Sequence, residues 1–560
     1  MFRELLIKGL TLGPGRIPGG PSQHLDLCGL TVFVGPNNAG KSLAISELFQ
    51  YGRPHTNESW RIITALEFAA LNEQEAGEAI RSFTADLKEP TLQAGHIHYR
   101  VRQQMFNLEP SRLQFAFQNP ASQPRDFRQF YLANVTVNLN GETRLALCNP
   151  TGSGDLLKPD PFIALQALFV HDDLRSEVRE VLRRAFEKYF IILPTSQGQF
   201  RIAFADRPPN SPFEEQGLHQ EARRYYASTK PIEEFSDGVK AYTGTVVEVI
   251  AGNPRVILID EPEAFLHPPL AQQLGTEVSR VALQSRKNVF VATHSANFVM
   301  GCLQSGGPVD IVRLTYKDGV ATARVLKNDE LGLMMRNPLL RSAGVINALF
   351  YENVVVTESD SDRAFYQEIN ERLLRYAPGR GIPNCLFLNA QNKQTTRQIT
   401  KPLRELGIPT ASIVDIDILK EGGKVWSGFL ESGGLQEVDR TTLATSRENL
   451  YSKAKGSGLD LKRGGGISQF AKADRESAEN LFDRLEQYGL FVVRRGELES
   501  WLKHLGATGH SPQWLTSMFE RLGDDLSDSH FVRPERGDVW EFVDRIRSWF
   551  LNPNRKGMPD

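Results

Sequence analysis

The feature that most constrains the fold is a glycine-rich segment near the start of the chain. Residues 35–42 read Gly-Pro-Asn-Asn-Ala-Gly-Lys-Ser and satisfy the pattern G-x-x-x-x-G-K-[ST]. The segment lies between an apolar run, residues 30–34, predicted as a strand, and a run from Leu43 onward predicted as a helix. In that setting the backbone N–H groups of the loop can surround phosphate oxygens at the helix N-terminus. The sequence therefore predicts an α/β domain that binds a nucleotide through a P-loop.

Several residues in this loop have separate predicted roles. Lys41 can reach the β and γ phosphates of ATP, and Ser42 can ligate Mg²⁺. The two glycines permit a close approach of the backbone to phosphate. A chance glycine-rich turn is the alternative. The residues predicted to bind the nucleotide here are Gly35, Asn37, Asn38, Gly40, Lys41 and Ser42.

Two acidic residues follow a second apolar run, residues 256–259. In a P-loop ATPase, Asp260 would hold hydrated Mg²⁺, and Glu261 would orient and deprotonate the attacking water. His294 follows a third apolar run and can contact the γ phosphate. Because functional loops lie at the carboxyl ends of buried parallel strands, these side chains should converge near the P-loop. Solvated strand-end acids and a structural histidine are the alternatives.

The acidic run continues in a pattern that resembles a known group of ATPases. Residues 260–268 read Asp-Glu-Pro-Glu-Ala-Phe-Leu-His-Pro, and residues 293–295 read Thr-His-Ser. Both are typical of ABC-type ATPases of the SMC, RecF and OLD kind. In that group a serine-glycine signature contacts ATP held by the other subunit, which implies such roles for Ser236 and Gly238 and a homodimer or higher homo-oligomer. Residues 235–238 read Phe-Ser-Asp-Gly and so depart from the usual Ser-Gly-Gly form. A plain Asp-Gly turn is the alternative.

A second set of acids lies in the later part of the chain. Glu358 follows the apolar run at residues 353–357, and Asp362 stands four residues later at the start of a predicted helix. Asp415 and Asp417 end another apolar strand, whose alternation directs both carboxylates to one side of the sheet. Hard oxygen ligands of this kind suit Mg²⁺ or Mn²⁺. A helix cap and ordinary strand-end acids are the alternatives.

Taken together and in this order, these acids resemble the TOPRIM domain. That domain has a glutamate after its first strand and a D-x-D pair after a later strand, and it carries metal-dependent phosphodiester chemistry. Ser359 stands where the TOPRIM pattern usually has glycine. An ABC-type ATPase followed by a TOPRIM domain resembles the OLD (overcoming lysogenization defect) nuclease family, which includes the Gabija-type nuclease.

The OLD resemblance implies further site residues. Lys393 would stabilise phosphate charge, and Glu499, in a Leu-Glu element, would join a second metal position. Of Glu497 and Glu499, only the second is expected to face the acidic strands; a surface acid on an amphipathic helix is the alternative. Two metal ions would then activate water and stabilise the leaving oxygen. The residues that would bind these ions are Glu358, Asp362, Asp415, Asp417 and Glu499.

The order of the motifs predicts two α/β domains. Residues 1–345 are predicted to form the ABC-type ATPase domain, and residues 346–560 the TOPRIM domain with C-terminal helices. A mixed stretch from about residue 51 to residue 229 is predicted as an insertion that adds dimer contacts.

Three local features add to this division. Hairpins are predicted at residues 135–147, turning on Asn140-Gly141, and at residues 311–325, turning on Asp318-Gly319. Residues 453–466 are rich in glycine and lysine and are predicted to form a mobile loop. Such a loop can follow a phosphate backbone or simply be solvated.

Length, charge and cysteine spacing limit the remaining possibilities. A chain of 560 residues needs more than one core. The net charge of -2 means that DNA binding depends on local basic patches and metal ions. The cysteines form no C-x-x-C pair, which argues against a thiolate zinc site. No signal peptide or membrane span is recognisable, so a cytoplasmic location without membrane contact is expected.

These observations and resemblances predict an ATP-regulated, divalent-metal-dependent DNA endonuclease or nickase that acts in phage defence. The predicted partners are DNA, other copies of the chain, and a helicase or other defence-system protein such as a reverse transcriptase. One alternative is an ATP-gated DNA-binding or repair scaffold of the SMC/RecF kind with an inactive TOPRIM domain. Strand passage or primer synthesis is the other, since TOPRIM domains also serve topoisomerases and primases.

Overall fold

The chain folds into two compact units, Met1–Leu331 and Gly332–Asp560. The division falls before the predicted domain boundary, which lies between residues 345 and 346. Within the described part of the chain, no helix is long and apolar enough to cross a membrane. The computed structural model describes residues 4–53, 60–85, 95–157, 163–196, 198–326, 332, 337–342, 344–525, 527 and 530–559.

The first unit combines strands and helices from its beginning to its end. Its described strands are β1 (Ile7–Leu12), β2 (Gln23–Asp26), β3 (Leu30–Val34), β4 (Ile63–Phe68), β5 (Ile97–Val101), β6 (Gln104–Leu108), β7 (Thr136–Leu139), β8 (Thr151–Gly152), β9 (Tyr189–Ser196), β10 (Gln199–Ala205), β11 (Lys230–Pro231), β12 (Val256–Asp260), β13 (Asn288–Ala292), β14 (Asp310–Lys317) and β15 (Val320–Leu326). Its described helices are Lys41–Tyr51, Glu73–Phe83, Pro110–Gln118, Pro124–Asp126, Phe127–Leu132 (a π-helix), Ala133–Val135, Gly141–Ala146, Ala164–Val170, Asp172–Phe186, Pro212–Gln216, Gln220–Ala227, Ile232–Glu234 (a 3₁₀ helix), Asp237–Ala251, Pro268–Ser285 and Ala296–Gln304.

The central sheet of the first unit is the one that the apolar runs predicted. Its described strands follow the order β15-β14-β3-β13-β12-β7. From β14 to β7 neighbouring strands are parallel, and only β15 pairs antiparallel with its neighbour β14. Strands β3, β12 and β13 are almost entirely buried, as expected for a parallel sheet covered on both faces. Their carboxyl ends carry the P-loop, the Asp-Glu pair and the Thr-His-Ser segment side by side.

The stretch predicted as an insertion supplies two strands to the body of this unit. Strand β4 pairs antiparallel with β1, and β7 pairs parallel with β12 at the edge of the central sheet. The insertion therefore does not run unbroken from residue 51 to residue 229. Between β7 and the helix Asp237–Ala251, β8 to β11 form a separate sheet, in which β10 pairs with each of the other three.

The prediction of a hairpin at residues 135–147 is wrong. The chain forms β7 and then the helix Gly141–Ala146, without a second strand. Asn140 is the N-cap of this helix, because its side chain accepts from the backbone N–H of Thr143 while the Thr143 hydroxyl donates to neighbouring backbone carbonyls. An Asn-Gly pair favours a tight hairpin turn, but asparagine is equally suited to capping a helix.

The hairpin predicted at residues 311–325 is confirmed. Strands β14 and β15 pair antiparallel from Ile311 opposite Leu326 to Lys317 opposite Val320. The turn residues Asp318 and Gly319 have φ values of 51° and 83°. Positive φ at both central residues is what a tight hairpin turn requires, and aspartate followed by glycine tolerates it.

The second unit is a smaller α/β structure. Its described strands are β16 (Asn353–Thr357), β17 (Cys385–Asn389), β18 (Thr410–Asp415) and β19 (Leu490–Val493). Its described helices are Pro338–Ser342, Asp360–Tyr376, Thr396–Glu405, Gly423–Ser432, Glu437–Gly456, Lys472–Glu486, Pro512–Leu522 and Asp538–Leu551, with 3₁₀ helices at Val345–Phe350, Ile416–Lys420, Gly466–Gln469, Leu498–Ser500 and Lys503–Leu505.

The sheet of the second unit is parallel and covered on both faces. Its described strands follow the order β17-β16-β18-β19, and each neighbouring pair is parallel. Ile413 and Phe491 belong to one hydrophobic cluster, while Val414 and Val492 belong to another. This alternation along adjacent strands follows from the period of two in a strand.

Part of the later chain differs from its prediction. The C-terminal region, predicted to consist of helices, also contributes β19 to the sheet. Lys453 and Lys455 were expected in a mobile loop, and they lie instead in the last turn of the helix Glu437–Gly456. Both lysines suit this position, since cations near a helix C-terminus interact favourably with its dipole.

Candidate functional site

The loop of residues 35–42 has a conformation that depends on its glycines. Gly35 has φ 143° and Gly40 has φ 93°, both in the left-handed region that favours glycine. A Cβ atom on Gly35 would collide with the backbone carbonyl of Leu314. Asn37 and Asn38 are exposed on the turn between the two glycines. The predicted nucleotide-binding residues therefore share one tight turn at the end of β3.

Lys41 lies against the inner side of this loop. Its Nζ donates to the backbone carbonyls of Gly35 at 2.8 Å and Pro36 at 2.7 Å. Burial lowers the pKa of Lys41 to about 8, although Glu263 and Glu261 act in the opposite direction. The ammonium group is held where a phosphate can replace the two carbonyls as its acceptor.

Ser42 and Asp260 meet at the end of the loop. The Ser42 hydroxyl donates to Asp260 Oδ1 at 3.1 Å, across a large separation in sequence. Burial raises the pKa of Asp260, and its hydrogen bond with Ser42 acts against that shift. A hydroxyl and a carboxylate side by side are the oxygen ligands that Mg²⁺ takes beside nucleotide phosphates, so these residues fit the predicted ion.

Glu261 is held in an unusual backbone conformation beside His294. Its φ of 49° lies in the left-handed region, and its backbone N–H donates to the carbonyl of Ala292 at 2.8 Å. Its carboxylate is about half exposed and lies 3.8 Å from His294 Nε2. Burial, together with Lys41, lowers the pKa of His294, which favours the neutral ring. A carboxylate facing solvent at the end of β12 is suitably placed to take a proton from water.

Arg144 is part of this site although no sequence motif indicated it. Its Nη2 donates to the backbone carbonyl of Glu261 at 2.9 Å, and its Nε donates to that of Asn140 at 3.2 Å. The side chain is fully buried, and within the described structure Nη1 has no hydrogen-bond partner. Burial lowers the pKa of Arg144, whereas Glu263 and Asp260 raise it. Arg144 thus helps to fix the strained backbone of Glu261.

The serine-glycine segment starts a long helix in the same unit. Ser236 is the N-cap of the helix Asp237–Ala251, and its side chain is exposed. A Cβ atom on Gly238 would lie 2.6 Å from the carbonyl oxygen of Phe265, so glycine permits this close approach. Phe265 has φ 71° and is itself 56% exposed. The segment therefore packs against the chain that follows the Asp-Glu pair and presents its serine to solvent.

In the second unit, Glu358, Asp415 and Asp417 come together. Each offers a carboxylate oxygen, and these oxygens all lie within 4.8 Å of one another. The backbone N–H of Asp415 donates to Glu358 Oε1 at 2.8 Å. The grouping arises because β16 and β18 are adjacent and parallel, so their carboxyl ends share one edge of the sheet. We refer to these three residues as the acid triad.

The electrostatics of the acid triad fit a divalent cation. Burial and the charge of Asp415 raise the pKa of Glu358, and burial and Asp362 raise that of Asp415 to about 7. Asp417 Oδ1 is buried and, among the described residues, has no hydrogen-bond partner. Crowded, partly unpaired carboxylate oxygens are stabilised by a hard cation such as Mg²⁺ or Mn²⁺.

Two lysines flank the acid triad. Lys393 Nζ lies 2.9 Å from Asp417 Oδ2 and 3.2 Å from Glu421 Oε1. Lys462 Nζ lies 2.9 Å from Asp415 Oδ2. The sequence predicted the first of these lysines for the site. It assigned the second only to a basic loop, because nothing in the local pattern connects Lys462 with acids so distant in sequence.

Asp362 lies near the acid triad, but it also caps a helix. Its Oδ2 accepts from the Ser359 hydroxyl at 2.6 Å and from the Ser359 backbone N–H at 3.0 Å. The Ser359 hydroxyl in turn accepts from the backbone N–H of Asp362. This capping box occupies one carboxylate oxygen of Asp362. Burial raises its pKa, and Ser359 acts against that shift.

Glu499 and Glu497 have different surroundings. Glu499 Oε1 accepts from the backbone N–H of Ser511 at 2.8 Å and contacts His510 Nδ1. Burial would raise the pKa of Glu499, but these two contacts outweigh it and lower the pKa. Glu497 is buried, and its Oε2 lies 3.8 Å from Lys462 Nζ. Among the described residues, the structure does not include Glu499 or Asp362 in the acid triad.

Comparisons with known proteins bear on the first unit. Residues 164–300 match a domain family described as "AAA domain, putative AbiEii toxin, Type IV TA system". The matched stretch includes Ser236, the Asp260-Glu261 pair and His294. No curated protein matches the chain.

Similar solved structures include heads of SMC proteins. An SMC head bound to the C-winged helix domain of ScpA is 13% identical and covers 57% of this chain and 98% of its own, with a TM-score of 0.33. The SMC head domain from Thermotoga maritima is 11% identical and covers 58% of this chain and 100% of its own, with a TM-score of 0.28. With TM-scores this low, nothing about the activity of this chain follows from them.

The first unit is a P-loop ATPase domain. Its loop geometry, the meeting of Ser42 with Asp260 and the AAA-domain match agree on this class. The predicted α/β fold class is therefore confirmed.

Proposed function

We propose that the chain is an ATP-hydrolysing, divalent-metal-dependent DNA endonuclease or nickase of the OLD kind, acting in phage defence. The observation that carries the proposal is the acid triad at the carboxyl edge of a parallel sheet, in the same chain as a P-loop ATPase domain. The combination supports TOPRIM-type phosphodiester chemistry that ATP regulates. Phage defence rests on the family resemblance.

The residues of the second unit have complementary proposed roles. The acid triad would hold a Mg²⁺ or Mn²⁺ ion, which when bound activates water and stabilises charge on the phosphate. Lys393, already 2.9 Å from Asp417, would attract a phosphate oxygen to the same edge of the sheet. DNA is the proposed substrate, because its backbone is the phosphodiester that such a site can bind and cut.

The first unit would hydrolyse ATP between two copies of the chain. Lys41 and Ser42 would bind the phosphates and Mg²⁺, and Glu261 would take the proton from the attacking water. Ser236 is exposed at a helix N-terminus, so it is free to contact ATP bound to a second copy. We therefore propose a homodimer or higher homo-oligomer in the cytoplasm, with a helicase or another defence protein as a further partner.

Replacing Glu261 with glutamine should preserve ATP binding and reduce hydrolysis by about 100-fold or more, because an amide cannot accept the water proton. ATP binding would be measured by calorimetry and hydrolysis by phosphate release. Glu142→Gln, at an exposed position on the helix Gly141–Ala146, is the matched control and should hydrolyse ATP normally. Loss of ATP binding in Glu261→Gln would instead indicate a structural role for Glu261.

The direct test of the proposed function is plasmid cleavage by the purified chain. Supercoiled plasmid is incubated with Mg²⁺ or Mn²⁺, with and without ATP, and nicked and linear products are measured. We expect metal-dependent nicking or cutting whose rate changes with ATP. DNA binding without cleavage under all conditions would favour the scaffold alternative, and a covalent protein–DNA adduct would favour strand passage.

A further inference from the structure

Lys462 lies on the side of the acid triad that also faces Glu497. Its Nζ is 2.9 Å from Asp415 Oδ2, 3.6 Å from Asp417 Oδ2 and 3.8 Å from Glu497 Oε2. Lys462 is therefore a partly exposed cation that faces three carboxylates.

The backbone around Lys462 is held in place. Its N–H donates to Asp460 Oδ1 at 3.2 Å, and the side chain of Gln469 donates to the backbone carbonyl of Asp460 at 2.7 Å. Gly496 packs so closely on the Lys462 carbonyl that a Cβ atom there would collide with it. Gly496 itself has φ 128°, where glycine is favoured. The segment thus packs against the chain that follows β19, and this packing fixes the backbone position of Lys462.

Two acids predicted to bind the metal ions, Asp362 and Glu499, have other partners. One oxygen of Asp362 is engaged by Ser359, and one oxygen of Glu499 by Ser511 and His510. The Lys462 ammonium, in contrast, already brings a positive charge to the acids on this side of the triad.

We infer that the acid triad binds one divalent ion and that Lys462 supplies the second cation of the site. This inference rests on the proposed nuclease function. In hydrolysis, a water oxygen bonds to phosphorus and the bond from phosphorus to one strand's oxygen breaks. The water proton passes to solvent, and the departing oxygen takes a proton from solvent. Lys462 keeps its protons and acts through its charge, which stabilises the additional negative charge on the phosphate.

The number of bound ions tests this inference independently of cleavage. Mn²⁺ binding to the full chain without nucleotide would be measured by calorimetry, in an Asp260→Asn background that removes the ATP-site ligand. We expect one ion per chain, lost in Asp415→Asn. Lys462→Met should bind Mn²⁺ at least as tightly as the parent, because removing a positive charge beside the triad favours a cation. Two ions per chain in the parent, or loss of Mn²⁺ binding in Lys462→Met, would overturn the inference.

Cleavage by the same variants tests the catalytic part. Lys462→Met should cut plasmid about 100-fold more slowly or worse, and Lys462→Arg should recover part of the rate because it keeps the charge. Lys472→Met, at an exposed lysine in the same unit, should cut normally. Normal cleavage by a folded Lys462→Met protein would overturn the inference. If the parent binds one Mn²⁺ but cuts no DNA, the proposed function fails while ion number and affinity still decide the role of Lys462.

Discussion

Replacing Lys41 with alanine is expected to reduce ATP hydrolysis by at least about 100-fold, the scale seen when one preorganised charge-stabilising donor is removed. Lys41 Nζ already donates to the carbonyls of Gly35 and Pro36 within the P-loop. No other side chain of residues 35–42 carries a positive charge that can replace it at the β and γ phosphates. Phosphate release at saturating ATP measures the effect.

The control for this change is Lys317→Ala, which removes an exposed lysine from the same unit. It should hydrolyse ATP at the normal rate. Thermal unfolding should show that Lys41→Ala remains folded, since burial already disfavours the charged form of Lys41. Normal ATP turnover in the folded variant would contradict the assignment of residues 35–42 as the phosphate-binding loop.

Replacing Asp415 with asparagine is expected to abolish DNA cleavage while leaving ATP hydrolysis largely intact. Asp415 belongs to the acid triad, whereas the P-loop and Asp260 lie in the other unit and use a separate ion. Changing a residue that only hydrogen-bonds to a metal ligand typically reduces activity about 10- to 100-fold. Loss of a ligand itself should therefore reduce the cleavage rate by more than about 100-fold. Plasmid cleavage and phosphate release are measured on the same preparation.

Asp360→Asn is the matched control for the triad. Asp360 stands two residues before Asp362 but is exposed and pairs with Arg363, so its replacement should leave cleavage unchanged. Asp415→Asn should be at least as resistant to thermal unfolding as the parent without added metal, because burial and neighbouring acids raise the pKa of Asp415 and so disfavour its charge. A folded Asp415→Asn protein that still cuts plasmid would refute the metal assignment.

The strands and loops that carry the two sites could be predicted from sequence because each is a local pattern. Strand β3 coincides with the predicted run at residues 30–34, and β12 differs from the predicted run at residues 256–259 by one residue. A buried parallel strand is an uninterrupted apolar run, and its functional loop follows it directly in the chain. For the same reason, Glu358 and the Asp415-Asp417 pair, which follow two such runs, lie at one edge of the second sheet.

Where two local structures compete for the same residues, the sequence did not discriminate between them. Asn140-Gly141 suits a hairpin turn and also a helix start, and the helix forms because Thr143 completes a capping box with Asn140. Lys453 and Lys455 suit a solvated loop and also a helix end. In each case the outcome depends on hydrogen bonds and packing that a composition pattern does not contain.

The sequence by itself determined the α/β class, the P-loop with its acids, and the residues from which an acidic site can be built. Only the tertiary structure decided which of those acids form the triad and which side chains from elsewhere join them. Arg144 reaches the carbonyl of Glu261, and Lys462 reaches Asp415, across long separations in the chain. Glu497 and Glu499, two residues apart, turn to different partners. These contacts depend on how distant segments pack, and spacing along the chain carries no information about such packing.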